Sequence, residues 1–530
     1  MFSALQKRIF SSHPGPIDGN GTGSARGNSL VTPEKISLPE KIPAEVVDQA
    51  ANEELPNEAA QDGVTQAEAI TLSWTKTSLG AAYILMWLLY FVNAFQSSIT
   101  GNLSAYVTSG VGFVGMIFSV DVITADTSTL RDRGLAYAFT SSPYIITAFA
   151  GSKASEGFYD YNWRWAFGCF AIILPAVALP MFGLLRFNRN KAKKNGLLQK
   201  RERSGRTLVQ SVVFYLIEFD ILGVFLLAAG LVLFLLPFTL AGSAADSWRS
   251  GYIIAMLVLG IAALIAFVVT ERFVAPVPFL PWEILVSRTV LGACLLDFCY
   301  QIAYYCWSDY YTSYLQVVYG TSISTAGYIS SIFDVVSGVW LLGVGFLIKK
   351  TGRFRWLLLW SVPLYMLGVG LMIYFRKPGW SLGYSIMCQI FIALGGGTMI
   401  ICQQVAVLAA ADHNNVASVL ALLGVFGYMG GAVGSSISGA IWTHTLPGAL
   451  KRLLPESAKA DWQTIYDSLD VQLSYERGTA VRHAIALAYA EAQSRMLIAG
   501  TAIMALSLGW MFLIRDIKLT KEVQTKGVLF

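Results

Sequence analysis

The sequence has few charged residues for its length. Asp, Glu, Lys and Arg make up 13% of its 530 residues, about half the share usual in soluble proteins. Apolar residues make up 55%, and the mean hydropathy is +0.55. Most of the surface of such a chain is not made for water, so the composition excludes an ordinary soluble globular protein.

Histidine, cysteine and the common catalytic motifs are also scarce. The chain has four His and six Cys, and the cysteines lie inside apolar runs without a C-x-x-C or metal-ligand spacing. No GxSxG, HExxH or P-loop motif occurs. We therefore expect no enzyme activity, no cofactor and no metal site. The net charge of +5 comes from basic residues in loops beside apolar runs, so no nucleic-acid partner is expected.

Long uncharged runs are abundant instead. Residues 221–242 and 251–270 contain no charged residue, and a helix of about 20 such residues spans the roughly 30 Å of a hydrocarbon core. Runs of this kind predict an all-α polytopic membrane protein with about twelve spans. The predicted spans are 80–99, 103–125, 135–155, 165–185, 221–241, 251–270, 290–312, 325–348, 356–375, 383–407, 417–442 and 485–514.

The basic loops set the expected orientation. The most basic one, RFNRNKAKKNGLLQKRERSGR at 186–206, is expected in the cytoplasm, because loops rich in Lys and Arg stay on that side. Alternation from there places both termini in the cytoplasm. The expected organisation is a disordered tail (1–75), an N-terminal helical half (76–185), a basic loop (186–215), an extra helix pair (216–275), a C-terminal six-helix half (276–516) with an outside loop at 446–480, and a tail (517–530).

Several acidic residues lie within or at the ends of the predicted spans. Such residues are costly in hydrocarbon and mark functional sites, and a carboxyl group in a low-dielectric setting favours its protonated form, which suits proton coupling. The alternative is that these residues form structural pairs with a basic residue or a backbone donor. This alternative is strongest for Asp126, which could pair with Arg131 or Arg133. The coupling candidates are Asp121, Asp297, Asp334, Asp126 and Glu156.

The seventh predicted span carries a polar and aromatic stripe. Its members recur at i, i+4, i+7, i+11 and i+14, which predicts one continuous helical face lining a cavity. An interfacial belt of aromatic residues is the alternative. With Asp297, the stripe comprises Gln301, Tyr304, Ser308 and Tyr311, flanked by Tyr300 and Trp307. The further substrate-binding candidates are Asn93 and Gln96 in the first span and Gln403 and Gln404 in the tenth.

Glycines recur in the eleventh span. Gly427 and Gly431, and likewise Gly430 and Gly434, have small-xxx-small spacing. This spacing is typical of membrane helices that pack closely, so we expect a structural role for these positions.

Four stretches resemble a known family. They are WLLYFVNAFQSSITGNLSAYVTS (87–109), LRDRGLAYAFTSSPYIITAFAG (130–151), SDYYTSYLQVVYGTSISTAGYIS (308–330) and GVFGYMGGAVGSSISGAIWTHTLP (424–447). Over nearly all of 74–516 the chain resembles major facilitator superfamily transporters, and more narrowly the fungal siderophore–iron transporters, which normally have fourteen spans.

The resemblance implies a function. It suggests a proton-coupled importer of ferric siderophores, with the iron chelate and protons as substrates and membrane lipid as surroundings. Because hydroxamates surround the iron, the protein needs no iron ligands of its own. We expect a monomer in the plasma membrane, with an endosomal or vesicular membrane as the alternative. The alternative functions are proton-driven export or exchange of drugs or small thiols, and a transport-incompetent truncated product.

One departure from the family is specific. Members place two further helices and the start of a third between the tract ending near Ser109 and VGFVGMIFSVDVITAD (111–126). Loss of an even number of membrane-spanning helices leaves the orientation of all later helices unchanged. The charges of the loops therefore do not reveal the loss. We infer an internal deletion after about residue 110, with a natural twelve-span variant as the alternative.

Overall fold

A computed structural model describes residues 73–103, 110–162, 164–195, 206–241, 244, 246–276, 286–411 and 415–519. The predicted disordered tail lies outside these residues except for 73–75. Most of the predicted deletion junction and the middle of the basic loop also lie outside them. Every regular element within the described ranges is helical, in agreement with the predicted fold class.

The helices before residue 286 form the N-terminal half and the extra pair. A 3-10 turn (Ser247–Arg249) precedes the last of them, and a π-helical turn (Thr270–Val274) follows it. They are α1 (Lys76–Leu103), α2 (Gly110–Asp126), α3 (Arg133–Ser141), α4 (Pro143–Tyr161), α5 (Trp165–Gly168), α6 (Phe170–Lys194), α7 (Leu208–Glu218), α8 (Ile221–Leu240) and α9 (Gly251–Val269).

The helices after residue 286 form the C-terminal half. A π-helical turn (Leu315–Tyr319) follows the second of them. They are α10 (Arg288–Ser308), α11 (Tyr311–Tyr314), α12 (Ile323–Ser330), α13 (Ile332–Thr351), α14 (Arg355–Phe375), α15 (Leu382–Ala409), α16 (Val416–Leu453), α17 (Glu456–Lys459), α18 (Trp462–Asp467), α19 (Leu469–Ser474), α20 (Ala480–Met504) and α21 (Ser507–Leu513).

Ten helical segments of the described chain are long and apolar enough to cross a membrane. They match ten of the predicted spans. The two other predicted spans correspond to α2, which has 17 residues, and to the α3–α4 pair. The break in that pair falls at Pro143, which has no N–H to donate and therefore begins a new helix at its first position.

Several helix boundaries differ from the predictions. The predicted spans 325–348 and 485–514 are each divided into two helices, at Ser331 and after Met504. Helix α16 continues to Leu453 and α6 to Lys194, so parts of the predicted loops at 446–480 and 186–215 are helical. The seventh span is not one continuous helix. Helix α10 ends at Ser308, and Tyr310 takes the left-handed conformation with φ 58° before α11 begins.

The six long helices of the C-terminal half form the largest core. Helix α10 packs against α16 and α20, and α14 packs against α15, which also contacts α13. In the N-terminal half, α1 packs against α4 and α6. The extra pair α8 and α9 pack mainly on each other, and α8 also packs on α16. Their apolar stretches are only 17% and 22% buried, which suits helices that face lipid.

The two ends of the helix bundle are chemically different. One end, called the basic end, carries Arg131, Lys349 and Arg353. The other, called the loop end, carries the short helices α17–α19. At the basic end, Lys349 Nζ lies 2.9 Å from Asp132 Oδ1, and Arg131 donates hydrogen bonds to the carbonyls of Lys349 and Lys350. These contacts join the loop after α2 to the end of α13.

The C-terminal tail is fastened to the same end. The Leu519 N–H donates to the Gly352 carbonyl at 2.9 Å, and Arg353 Nη1 donates to Asp516 Oδ2 at 2.7 Å. The tail therefore lies against the loop between α13 and α14.

The contact between α3 and α13 depends on a glycine. A Cβ atom added to Gly345 would lie 2.8 Å from Leu135 Cα and 2.9 Å from the Gly134 carbonyl oxygen. Backbone atoms cannot yield as a flexible side chain can, so the helices would have to separate. Gly343, on the same helix, has only an ordinary 3.7 Å contact to Trp340 at this position.

We expect Gly345→Ala to destabilise the protein by about 1–3 kcal/mol, the usual cost of overpacking. Gly343→Ala is the matched control and should be neutral or slightly stabilising, because alanine favours the helix. Thermal unfolding of the purified protein in detergent measures both. Equal melting temperatures for the two variants would contradict the close contact.

Candidate functional site

Three acidic side chains lie on helices at or next to the contact between the two halves. Helix α3 packs against α13 and α15, α4 packs against α12 and α13, and α2 contacts α16. Asp121 lies on α2 and Asp334 on α13, two of these helices, and Asp297 on α10 contacts α15 and α16. We call these three residues and the tyrosines between them the acidic cleft.

Asp121 is held by two tyrosines from neighbouring helices. Its Oδ1 accepts a hydrogen bond of 2.7 Å from the hydroxyl of Tyr90 on α1. The hydroxyl of Tyr137 on α3 donates to the Asp121 backbone carbonyl at 3.0 Å. Asp121 is half-buried and faces these neighbours, so its carboxyl group lies inside the bundle.

Asp297 lies against a glutamine and a glycine. Its side chain is almost fully buried. With the Gln403 amide oriented to satisfy both of its atoms, the amide nitrogen donates to Asp297 Oδ1 at 3.0 Å and the amide oxygen accepts from the Asp297 N–H at 3.2 Å. A Cβ atom at Gly427 would lie only 2.4 Å from Asp297 Oδ2, so the glycine makes room for the carboxyl group.

Three tyrosines connect the acidic residues electrostatically. Tyr144 on α4 interacts with Asp121 and Asp334. Tyr428 on α16 interacts with Asp121 and Asp297.

The third tyrosine is Tyr300 on α10, which interacts with Asp297 and Asp334. Each pair of the three carboxyl groups therefore shares a tyrosine neighbour. The three carboxyl groups are therefore linked through shared neighbours on α4, α10 and α16.

The other two coupling candidates lie at opposite ends of the bundle. Asp126 is the last residue of α2 and interacts electrostatically with Arg133, whose Nε donates to the Ala125 carbonyl. At the loop end, Glu156 forms an ion pair with Lys153 and accepts a 3.1 Å hydrogen bond from the Ser324 hydroxyl. Both therefore have structural partners outside the acidic cleft.

The aromatic members of the stripe form a chain of ring contacts. Tyr300 lies 6.4 Å from Tyr304, measured between ring centroids, and Tyr304 lies 5.4 Å from Trp307. Trp307 contacts Tyr311 at 6.1 Å, so the chain continues past the helix break at Tyr310. Such edge-on and tilted contacts are favourable for aromatic pairs.

The polar substrate candidates differ in burial. Asn93, Gln96 and Gln403 are buried, whereas Gln301, Ser308 and Gln404 are half-buried. The Asn93 Oδ1 atom has no hydrogen-bond partner within the part of the chain that the structure describes. Gln403 is brought to the acidic cleft by its contact with Asp297.

Sequence patterns did not point to Tyr90, Tyr137 or Arg376. The two tyrosines reach Asp121 from other helices, so no spacing along one helix predicts the contact. Arg376 follows the last residue of α14 and has the sequence context of an ordinary charged residue at a helix end. Its complete burial is a property of the tertiary structure.

Comparison with known proteins places the chain among transporters. No family model matches it. It is 65% identical to the MFS siderochrome iron transporter D of Aspergillus fumigatus over 600 residues, covering all of both chains. It is 46% identical to the siderophore iron transporter mirB of Emericella nidulans over 553 residues, covering 91% of this chain and 92% of the relative.

A further relative and a solved structure are also similar. The MFS siderochrome iron transporter 1 of Gibberella zeae is 42% identical over 553 residues, covering 91% of each chain. The crystal structure of a bacterial homologue of the human lysosomal transporter Spinster, in an inward-facing and occupied conformation, is 15% identical. It covers 86% of this chain and 89% of that chain, with a TM-score of 0.41.

The helical fold and the relatives define the class of this protein: a multi-pass membrane transporter of the major facilitator superfamily, and not an enzyme. Within that class, the chain belongs to the family of fungal siderochrome and siderophore iron transporters.

The contact between Gly427 and Asp297 can be tested by a double-mutant cycle. We expect Gly427→Ala to destabilise the protein by about 1–3 kcal/mol, because the added methyl group collides with the carboxyl group. In an Asp297→Ala background the same change should cost little, because the carboxyl group is gone. Unfolding in detergent measures all four proteins.

Gly424→Ala is the matched control. Gly424 lies on the same helix as Gly427, and a Cβ atom added there would meet nothing within 4 Å. An equal cost of Gly427→Ala in both backgrounds would show that the methyl group does not meet Asp297.

Proposed function

We propose that the protein imports ferric siderophores across a membrane and couples their movement to protons. The relatives are named siderochrome or siderophore iron transporters, which supports the cargo. The acidic cleft is the observation that carries the coupling: three carboxyl groups from both halves share tyrosine neighbours on α4, α10 and α16.

Asp121 and Asp297 would carry the protons, with Asp334 as a third candidate. A carboxyl group surrounded by apolar helices is stable when protonated and costly when ionised. The Tyr90 hydroxyl and the Gln403 amide each offer a hydrogen bond to the ionised form. Each carboxyl group can therefore exist in both states, and rocking of the two halves would expose it to one side of the membrane at a time.

The iron chelate would lie along the aromatic stripe and the polar residues near it. A ferric hydroxamate is bulky, and its ligands supply the coordination of the iron, so recognition uses ring faces and hydrogen bonds. Tyr300 and Tyr304 offer rings beside the acidic cleft, and Asn93 offers an amide from α1 with a free oxygen in the described chain. Gln301 and Gln404 supply further amides.

We propose that the basic end faces the cytoplasm, because Arg131, Lys349, Lys350 and Arg353 all lie there. Alternation then puts both termini in the cytoplasm and the loop end outside. The plasma membrane is the proposed location, since import of an external chelate begins there. We propose that it acts as a monomer in lipid.

The comparison with the Aspergillus fumigatus relative supports an internal deletion. The alignment extends over 600 positions and covers both chains completely, whereas this chain has 530 residues. At least 70 positions therefore have no residue of this chain. Such a length fits two helices and part of a third, and the six residues between α1 and α2 are the proposed place of the loss.

Removal of the acidic carboxyl groups should impair transport. We expect Asp121→Asn and Asp297→Asn each to slow uptake of a ferric siderophore by about tenfold or more, equivalent to about 1.4 kcal/mol, because asparagine cannot bind and release the proton. Uptake of radiolabelled iron chelate by cells without other siderophore uptake measures this, with and without a protonophore.

Asp467→Asn is the control, since Asp467 is exposed in α18. Wild-type uptake that persists undiminished with protonophore would argue against coupling. Efflux of the chelate in place of uptake would favour the exporter. No movement at all would favour the transport-incompetent product.

The deletion makes a prediction about the transcript. Sequencing the messenger RNA across the codons for residues 104–110 should reveal a longer form that encodes about two additional helices. If every transcript encodes the present junction, the deletion hypothesis is wrong. The chain is then a natural twelve-span variant in which residues 104–109 join α1 to α2.

A further inference from the structure

A fully buried arginine lies at the loop end of the C-terminal half. Arg376 directly follows α14 and has no exposed surface. Its guanidinium group lies over the ring of Tyr311 at 3.8 Å from the centroid, and 5.4 Å from that of Tyr314. One nitrogen, Nη1, donates to the Trp307 carbonyl at 2.7 Å.

The other donors of this guanidinium group are not used. Its Nε and Nη2 atoms have no hydrogen-bond partner within the described chain. No acidic residue of the described ranges forms an ion pair with it. Its electrostatic neighbours are Tyr311, Tyr314, Tyr319 and Cys388, so the charge faces aromatic rings and a thiol, with no carboxylate among them.

The neighbouring side-chain amide of Gln389 also has a hydrogen-bond partner at only one of its two polar atoms. The Nε2 atom of Gln389 donates to the Tyr311 hydroxyl at 2.7 Å, and that hydroxyl also bonds with the Ser385 hydroxyl at 2.8 Å. The Oε1 atom of Gln389 has no partner in the described residues. The polar groups around Tyr311 are therefore fixed in place, while Arg376 retains free donors.

Such an arrangement is costly without a ligand. A buried charge that lacks a counter-ion is strongly destabilising, and contact with a ring face offsets only part of that cost. Two free N–H directions on a planar guanidinium group match a pair of oxygen acceptors, such as those of a carboxylate or a hydroxamate.

We propose that Arg376, held between Tyr311 and the Trp307 carbonyl, binds oxygen acceptors at the surface of the transported iron chelate. This inference rests on the proposed function and adds to it a residue that determines affinity. The aromatic chain from Tyr300 to Tyr311 leads from the acidic cleft to this arginine. A chelate reaches it when the ends of α10 and α14 move apart during alternating access.

The test compares Arg376→Met with the neighbouring Lys377→Met, which removes an exposed cation from the same segment. The purified full-length proteins are titrated with a gallium(III) hydroxamate chelate in detergent, and iron-chelate uptake is measured in cells. We expect Arg376→Met to raise both Kd and KM by about tenfold or more, and Lys377→Met to leave them unchanged. Arg376→Lys should lie between, because it keeps the charge and loses the paired donors.

Three outcomes separate the explanations. If the wild type neither binds nor transports the chelate, the proposed function fails, and this inference fails with it. If the wild type transports the chelate and Arg376→Met lowers the melting temperature without changing Kd or KM, the arginine is structural and only the inference fails. Stabilisation of the wild type by chloride, with unchanged chelate affinity in the variant, would assign the site to an inorganic anion and also overturn the inference.

Discussion

The loss of hydration around a charged group in hydrocarbon governs the polar architecture of this protein. A carboxyl group between apolar helices must be protonated or must receive hydrogen bonds, and both solutions are built into the acidic cleft. Tyr90 donates a hydrogen bond to Asp121, and Gln403 donates one to Asp297. Neither partner is a base, so neither fixes the carboxylate permanently in its charged form. In the proposed mechanism, contacts of this kind would leave the proton free to move, whereas an arginine partner would hold the charge in place.

Close packing of α10 and α16 makes that environment. Besides Gly427, two glycines of α16 lie where a Cβ atom would meet the backbone of α10: Gly430 at 2.4 Å from the Phe298 carbonyl oxygen, and Gly434 at 2.9 Å from Ile302 Cα. Small residues allow membrane helices to approach to this distance. The glycine spacing was recognisable in the sequence because it repeats along one helix. The same approach excludes water and lipid from the side of Asp297.

Features that depend on one helix could be predicted, and features that depend on several could not. Apolar length predicted the spans, because a backbone in lipid must satisfy its hydrogen bonds within the helix. The helix break at Tyr310 was missed, because the apolar run of the sequence continues through this position. In the structure the Tyr310 ring stacks on Trp442, with 4.1 Å between the ring centroids. The extension of α16 to Leu453 was missed because Pro447 and the charged residues after it resemble a helix end. Arg376 has no local pattern at all, because the rings of Tyr311 and Tyr314 that it contacts come from α11.

The C-terminal tail belongs mechanically to the basic end. Its backbone bond to Gly352 and the ion pair between Arg353 and Asp516 fasten it to the loop that follows α13, the helix whose last turn carries Lys349. If that loop is displaced, for example when Lys349 separates from Asp132, the tail must move with it or its contacts to the loop must break. A fluorophore attached near Leu519 would thus report the position of the loop without touching any span.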